Sequence, residues 1–402
     1  MTTPTLLLTL SGTDRPGVTR TLFDALAAAP ITVLDIEQLV IHGTLVLSAL
    51  VAPSDNASDG DKIISDLRAR VRRTAADLNM DVSTVVGDGE EAAAQRQRIH
   101  VTALGAPLLP AAIARIADEI AQRGGNIDRI RRIANYPVTA IVFEGSDVDA
   151  HELSRIFAER HEEIGADISV RVADIDSRGQ HLVVMDVDST VIQDEVIDLL
   201  ADEAGVMEQV AAITERAMAG ELDFTESLQA RVALLKGLPV EMIERVRARV
   251  RLTPGARTLC RTLTGLGYRV CLVSGGFLEV VQPLAQELGV TDVRANALEV
   301  HDGHLTGRTV GPIIDRAGKR QALEAFAAEY GIPMRRTIAI GDGANDVDML
   351  EAAGLGVAFN GKAAARAAAD ASISVPYLDS VLYLLGITRE EIEAADRESR
   401  TT

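Results

Sequence analysis

Apolar and polar positions follow one pattern up to about residue 180 and another beyond it. In the first stretch, "TLLLTLSG" (5–12) alternates as a half-buried strand does, and "DRPGVTRTLFDALAA" (14–28) puts Val18, Leu22, Ala25 and Leu26 on one helical face. Asp14 stands where it can cap that helix, with Pro16 near its first position. Two strand-like runs (31–43 and 44–53), a helix over 59–79 and a strand over 80–87 complete the set. About 93 residues later the order returns: "RIHVTALG" (98–105), a helix over 108–124, strands over 125–134 and 137–145, a helix over 149–165 and a strand over 166–174. Residues 1–87 and 97–175 are therefore read as two copies joined by a polar, Gly-containing linker, 88–96.

A βαββαβ order folds into an antiparallel sheet covered by two helices, the α+β ferredoxin-like arrangement. Beyond Gln180 strands alternate with helices, which predicts a parallel α/β sheet. Its strands are expected at 181–186, 268–273, 336–340, 356–359 and 371–375. The stretch 195–250 is helical throughout and too long for a crossover, so it reads as a cap on a core made of 180–194 and 251–393. The charged end, "TREEIEAADRESRTT", reads as fraying, with 394–402 a tail.

Composition narrows the function. The net charge is -19, and neither part is a basic platform: residues 1–175 hold 17 Lys and Arg against 25 Asp and Glu, the remainder 23 against 34. With 3% aromatic residues and no Trp, stacking surfaces for single strands are missing too, so no nucleic-acid partner is expected. No run approaches the roughly 18 apolar residues of a membrane span. The N-terminus lacks a basic leader, and Cys260 and Cys271 have neither disulfide nor zinc spacing, so a cytoplasmic protein with reduced thiols and a small-molecule partner is expected.

The strand ends carry the chemistry, because ligands of open α/β sheets bind beyond the carboxyl ends of the strands. "HLVVMDVDSTVIQDE" (181–195) ends an apolar run in Asp186, with Asp188 two positions on; a later strand ends in Ser274, Gly275 and Gly276, and another in "GDGAND" with Asp342, Asn345 and Asp346. Lys319 opens an amphipathic helix upstream of the last. Crowded carboxylates are tolerable around Mg²⁺, which takes carboxylate, water and phosphate oxygens. Glycine-flanked amides, the Ser274 hydroxyl and Lys319 would then hold a phosphate. An ionised Asp186 could attack phosphorus, with Asp188 moving the leaving-group proton. Taken singly, each residue has a plainer role: a helix cap, a turn hydroxyl, a surface lysine, a tight turn. Their joint occurrence in order at strand ends favours one site.

This set resembles the haloacid dehalogenase (HAD) superfamily over about 181–375, through "DVDST", Ser274, Lys319 and "GDGAND". The resemblance implies a HAD-like Rossmannoid sheet, Asp186 as nucleophile and Asp188 as general acid and base. It also implies Mg²⁺ held by Asp186, the Asp188 backbone carbonyl and Asp342, with Asp346 behind them. "SGTDRPGVTRTLFDALA" is similar to the opening of ACT domains, amino-acid-sensing modules, and "GGNID" (124–128) in the second copy is ACT-like. Asp14, Gly17, Gly105 and Asn126 are the candidate effector-site residues.

The cap supplies substrate selection. Glu195 at its start could accept an ammonium and Arg231 could grip a carboxylate, as a small zwitterion requires, while Met218 and Phe224 could close over the site. Phe224 and Arg231, seven apart, share a helical face. "GELDFTESLQARVALLKGL" and "IGDGANDVDML" resemble the phosphoserine phosphatases of the serine pathway. That resemblance implies hydrolysis of O-phospho-L-serine as the last step of serine biosynthesis. It gives Glu195 and Arg231 to the amino acid and Ser274, Gly275, Lys319 and Asn345 to the phosphate. ACT domains imply feedback by L-serine or another amino acid and a homodimer. The rivals are a HAD phosphotransferase acting on another hydroxy amino acid and a catalytically inactive amino-acid sensor.

Overall fold

The computed structural model describes residues 4–54, 59–87, 98–172 and 179–399, and the chain divides into two compact units, 1–96 and 97–402. The expected linker, 88–96, lies outside the described residues.

In the first unit β1 (Thr5–Thr13), β2 (Ile31–Ile41), β3 (Thr44–Pro53) and β4 (Asp81–Gly87) form an antiparallel sheet ordered β2-β3-β1-β4, with helices Val18–Ala27 and Gly60–Asp77 on one face. Alternation does the sorting: Leu6, Leu8 and Leu10 of β1 are fully buried against Val18, Leu22, Leu67 and Val71 of the helices. Asp59 caps the second helix, accepting from the Lys62 N–H at 3.1 Å. Asp14 does not cap the first, contrary to expectation. Gly17 sits at that helix start in the left-handed region (φ 93°) with no side-chain cap, and the Asp14 N–H donates to the Gly43 carbonyl at 2.8 Å.

The second unit opens with β5 (Arg98–Gly105), β6 (Asn126–Ala134), β7 (Thr139–Ser146) and β8 (Asp167–Val172), antiparallel in the order β6-β7-β5-β8. Its helices are Pro110–Gln122 and Ala150–Glu159, followed by a separate turn, His161–Ile164. The single helix expected over 149–165 breaks at Arg160, whose guanidinium pairs with Glu119 and, at 2.6 Å, with Glu163.

The largest sheet comprises β9 (Leu182–Asp186), β10 (Arg269–Phe277), β11 (Asp292–His301), β12 (His304–Val310), β13 (Thr337–Gly341), β14 (Leu355–Phe359) and β15 (Ala371–Ile373) in the order β12-β11-β10-β9-β13-β14-β15. All pairs are parallel except β11 with β12. Of the five α-helices between β9 and β10, Val196–Ala204, Met207–Met218, Phe224–Ala233 and Met242–Arg247 make the cap, and Ala256–Gly265 leads back into β10. The β11–β12 hairpin was not expected; "HDGH" closes it, with Asp302 at φ 48° and Gly303 at φ 74°. The chain's end is also more ordered than expected. Arg389–Ser399 is a helix with Ile392 buried and Arg261 paired to Asp396, and Glu391 accepts from the Thr388 N–H at 2.7 Å as an N-terminal cap.

Leu104, Ile133, Val138, Ala140 and Val142, on the sheet face away from the helices of the β5–β8 domain, join one core with Leu382, Tyr383 and Leu384 of the α/β part. Asp167 adds a polar clasp, accepting from Ser374 N–H at 2.8 Å and Oγ at 3.1 Å while lying 3.2 Å from His161 Nε2. Among the described residues no helix is long and apolar enough to cross a membrane.

Candidate active site

Every residue of β9 is buried, so Asp186 arrives at the sheet's carboxyl edge without solvent. Lys319, fully buried on the helix Arg316–Tyr330, answers that charge: its Nζ lies 2.6 Å from Asp186 Oδ1 and 2.6 Å from Asp346 Oδ1. Asp346 is held from its other side by the Gly343 N–H, 2.9 Å from Oδ2. Burial and the Asp346 charge push Asp186 well above the usual carboxylate range, with Lys319 pulling it back. Burial pulls Lys319 down, but the two carboxylates more than reverse this and leave it raised and charged.

Two residues on, the chain turns sharply through Ser189 (φ 57°), and Asp188 points across to β10. Its Oδ2 accepts from Ser274 Oγ at 3.2 Å and its Oδ1 from the Val196 N–H at 3.0 Å. Ser274 Oγ itself accepts from the Gly276 N–H at 2.8 Å. Burial, then the Glu195 charge, raise the Asp188 carboxyl to about 7. The neighbouring acids thus differ in role by environment: one is braced by a cation, the other balanced between its two protonation states near neutrality.

Glu195 stands at the start of the first cap helix, raised by burial, and accepts from Ser189 Oγ at 2.8 Å. Phe224 and Arg231 lie on one helix, as the spacing predicts. Phe224 leans over the β10 turn: a Cβ placed on Gly275 would meet its Cζ at 3.1 Å. Burial lowers Arg231, with Asp198, Glu195 and Asp188 pulling it back up, so it faces the same acidic pocket; its Nε donates to the Ser227 carbonyl at 3.2 Å. Asn345 Oδ1 lies against Gly343, 2.4 Å from where a Cβ would be. The Met218 side chain lies outside the described residues.

Carboxylate oxygens of Asp186, Asp342 and Asp346 lie within 4.8 Å of one another, and Asp186 Oδ1 accepts no aligned hydrogen bond despite its ion pair. A hard divalent cation suits such an all-oxygen cluster. Asp342, raised by burial, has Lys362 Nζ at 3.1 Å from Oδ2. Lys362 escaped the sequence reading because nothing in "NGKAAARAA" marks it. Asn296 escaped as well: fully buried on β11, it donates from Nδ2 to the Gly275 carbonyl and accepts from the Ile314 N–H, both at 2.8 Å, fixing the β10 turn. A single Asn in an alternating strand carries no signal of that.

The candidate effector residues divide between the two units. Asp14 and Gly17 belong to the first unit; Gly105, packed against Pro107 and Leu108, and Asn126, donating to Asp128 Oδ1 at 2.7 Å, belong to the second.

Comparison with known proteins gives three family matches: the haloacid dehalogenase-like hydrolase family over 183–351, and ACT domains over 4–84 and 99–174. A phosphoserine phosphatase of Streptomyces coelicolor is 53% identical over 98% of this chain and 95% of its own, and one of Mycobacterium tuberculosis 48% identical over 97% and 95%. The crystal structure of a probable phosphoserine phosphatase from Vibrio cholerae, in unliganded form, is 31% identical with a TM-score of 0.56, covering 76% of this chain and 90% of that one.

Proposed function

The chain belongs to the phosphoserine phosphatases, HAD hydrolases with ACT domains, and from that premise we propose how its own residues hydrolyse O-phospho-L-serine to L-serine and phosphate. The observation that carries the reading is the asymmetric acid pair: Asp186 braced by Lys319, and Asp188 raised to about 7 beside it. An Asp186 carboxylate oxygen attacks phosphorus and the bond from phosphorus to the serine oxygen breaks, leaving phosphate on Asp186. Asp188 gives its proton to the departing serine oxygen. It then takes one from a water, which attacks the phosphoaspartate, frees inorganic phosphate and restores the Asp186 carboxylate.

Ser274 Oγ, the amides of Gly275 and Gly276, Lys319 and Asn345 hold the phosphate, while Glu195 takes the ammonium and Arg231 the carboxylate. Phe224, leaning over the β10 turn, excludes water. Asp186, Asp342 and the Asp188 carbonyl would hold Mg²⁺, with Asp346 behind them, and the ion when bound supplies positive charge to the phosphate oxygens. The buried free thiols Cys260 and Cys271 support a reducing, cytoplasmic setting. The ACT domains bind an amino-acid effector, L-serine as end product being the first choice, in a homodimer.

A phosphate-release screen over phosphorylated amino acids and sugars, with and without Mg²⁺ and with L-serine titrated in, tests this directly. Phosphoserine leads, Asp186→Asn releases none, and serine inhibits. If another ester leads, the roles of Glu195 and Arg231 fall; if serine still inhibits a chain lacking 1–175, the regulatory role does.

A further inference from the structure

The β11–β12 hairpin stands in the chain between the turn that carries Ser274 and the helix that carries Lys319, yet it reaches the cap. β12 is an edge strand, and the cap segment 237–240 pairs with it. The Gly237 N–H donates to the Leu305 carbonyl at 2.8 Å, the Leu305 N–H to the Leu238 carbonyl at 2.9 Å and the Val240 N–H to the Gly303 carbonyl at 2.9 Å, with Pro239 and His304 opposite each other in the antiparallel sense. Leu305 is buried in one core with Val232 and Leu235 of the cap. Ladder bonds of this kind set spacing and register together, holding two chains about 4.8 Å apart.

The pairing sits just beyond the helix that carries Phe224 and Arg231, since Phe224–Ala233 runs on through turns at Leu235 and Lys236 before it meets β12. The strand makes room for it there. Between the pairs Leu298–Thr309 and Val300–Leu305 the hairpin register shifts, and Gly307, inside the shift, has φ 80°. A Cβ on Gly307 would lie 2.9 Å from Lys236 Cβ and 3.3 Å from the Ala233 carbonyl oxygen, so only glycine lets the helix end rest on the strand. At its root the hairpin holds the β10 turn: Asn296 Nδ2 donates to the Gly275 carbonyl at 2.8 Å, and the Leu298 N–H donates to Oε1 of Glu279, on the helix after that turn, at 2.9 Å. The two chain crossings into the cap are joined to each other, Ile192 opposite Leu252 and the Gln193 N–H on the Arg251 carbonyl at 2.9 Å, so they act as one attachment. The hairpin adds a separate one, and a cap held at two places pivots less than a cap held at one.

We propose that the β11–β12 hairpin is a strap that sets the span between the β10 turn and Arg231, with Gly307 as the positioning residue that matches this span to the length of the substrate. The proposal rests on the reading of Arg231 as the carboxylate donor and of the β10 turn as the phosphate holder. A phosphate and a carboxylate at the two ends of one small molecule are gripped together only when their receptors stand the right distance apart, because charge-assisted bonds weaken steeply once stretched or bent. A methyl group on residue 307 wedges the helix end off the strap and lengthens that span.

Steady-state phosphate release by the full-length protein tests this with three esters: O-phospho-L-serine, O-phospho-L-homoserine, which is one methylene longer, and O-phosphoethanolamine, which has no carboxylate. Gly307→Ala is expected to raise KM for phosphoserine about 10-fold, the size of one charge-assisted bond, with kcat changed less than KM and KM for phosphoethanolamine changed by less than about 2-fold. The ratio of kcat/KM for phosphohomoserine to that for phosphoserine rises. Lys236→Gly removes the Cβ that the new methyl meets, and in the double variant it brings the ratio back although the backbone strain at residue 307 remains. A general loss of stability would lower all three esters alike and would not be rescued at Lys236. If Gly307→Ala does not fold, Val240→Pro deletes the bond to the Gly303 carbonyl from the cap side and must shift the same ratio in the same direction. The proposal is overturned if the three esters are affected equally, if the ratio is unchanged or falls, or if Lys236→Gly gives no rescue. Arg231→Met, measured in parallel, separates the two readings. Where it impairs phosphoserine and phosphoethanolamine alike, the role of Arg231 falls and the strap with it; where it discriminates and Gly307→Ala does not, the strap alone falls.

Discussion

Replacing Lys319 by Met removes the one cation between two buried carboxylates while keeping most of the side-chain volume. Nζ lies 2.6 Å from Asp186 Oδ1 and 2.6 Å from Asp346 Oδ1, and all three side chains are within 3% of complete burial. Breaking a buried pair in this way costs about 3–5 kcal/mol, because the abandoned charge stays dry. Against a domain stability of roughly 5–15 kcal/mol, that is a shift readily seen in urea unfolding followed by circular dichroism. The pH dependence separates this cause from lost packing. Without Lys319 the folded Asp186 carboxyl loses the cation that pulls it down and stays raised by burial above its value in the unfolded chain, about 4, so folding takes up a proton. Stability contributed by a raised acid is present at low pH and lost as pH rises, at up to about 1.4 kcal/mol per pH unit for each proton taken up. In EDTA, Lys319→Met is therefore penalised most near pH 8 and least near pH 5, and adding Asp346→Asn recovers part of the loss. A penalty that is absent at pH 8, or that grows on acidification, would refute the charge argument.

Three further outcomes follow from the same geometry. Asp188 must be protonated to serve the leaving group, so kcat/KM falls as pH rises through about 7; Glu195→Gln removes the like charge that helps hold it there, and the alkaline limb moves to lower pH in a pH–rate profile. Arg231→Met raises KM for phosphoserine by about 10- to 100-fold through the lost charge-assisted bonds, with a smaller change in KM for a phosphoester lacking the carboxylate, measured by steady-state phosphate release. Glu391→Ala removes the acceptor for the Thr388 N–H and lowers stability by about 1 kcal/mol in thermal unfolding, without changing kcat.

The chemistry was legible because it sits where strands end. Apolar runs fix β9, β10 and β13, and the polar residues that follow each run are brought to one edge by parallel topology alone. What supports those residues was not legible. Asn296 reaches the Gly275 carbonyl from a strand whose alternation is ordinary, and the Lys362 side chain meets Asp342 only because the β14 turn returns beside β13. Two local signals were present and under-read: "HDGH" for the hairpin and Thr388 to Glu391 for the last helix cap. The Asp14 cap failed because the backbone at Gly17 takes the left-handed turn that a capping side chain would have served.

The docking of the second ACT domain shows a limit of another kind. In β1 of the first copy Leu7 is 41% exposed, whereas the corresponding face of β5 buries Leu104 against the catalytic core. The copies share element order, yet their outward faces differ: on that face "RIHVTALG" has His100 where "TLLLTLSG" has Leu7 and Leu104 where it has Ser11, while Thr102 matches Thr9. Period-two patterning tells which residues share a face, not what covers it. A face that is part apolar and part cationic cannot be closed entirely by hydrocarbon: Leu104 and Val138 seal one part, and Arg171 is left at the other with a buried Nε that has nothing to bond. The same docking that extends the catalytic core therefore leaves a cavity at the foot of β9, five residues along the strand from the acid at its head.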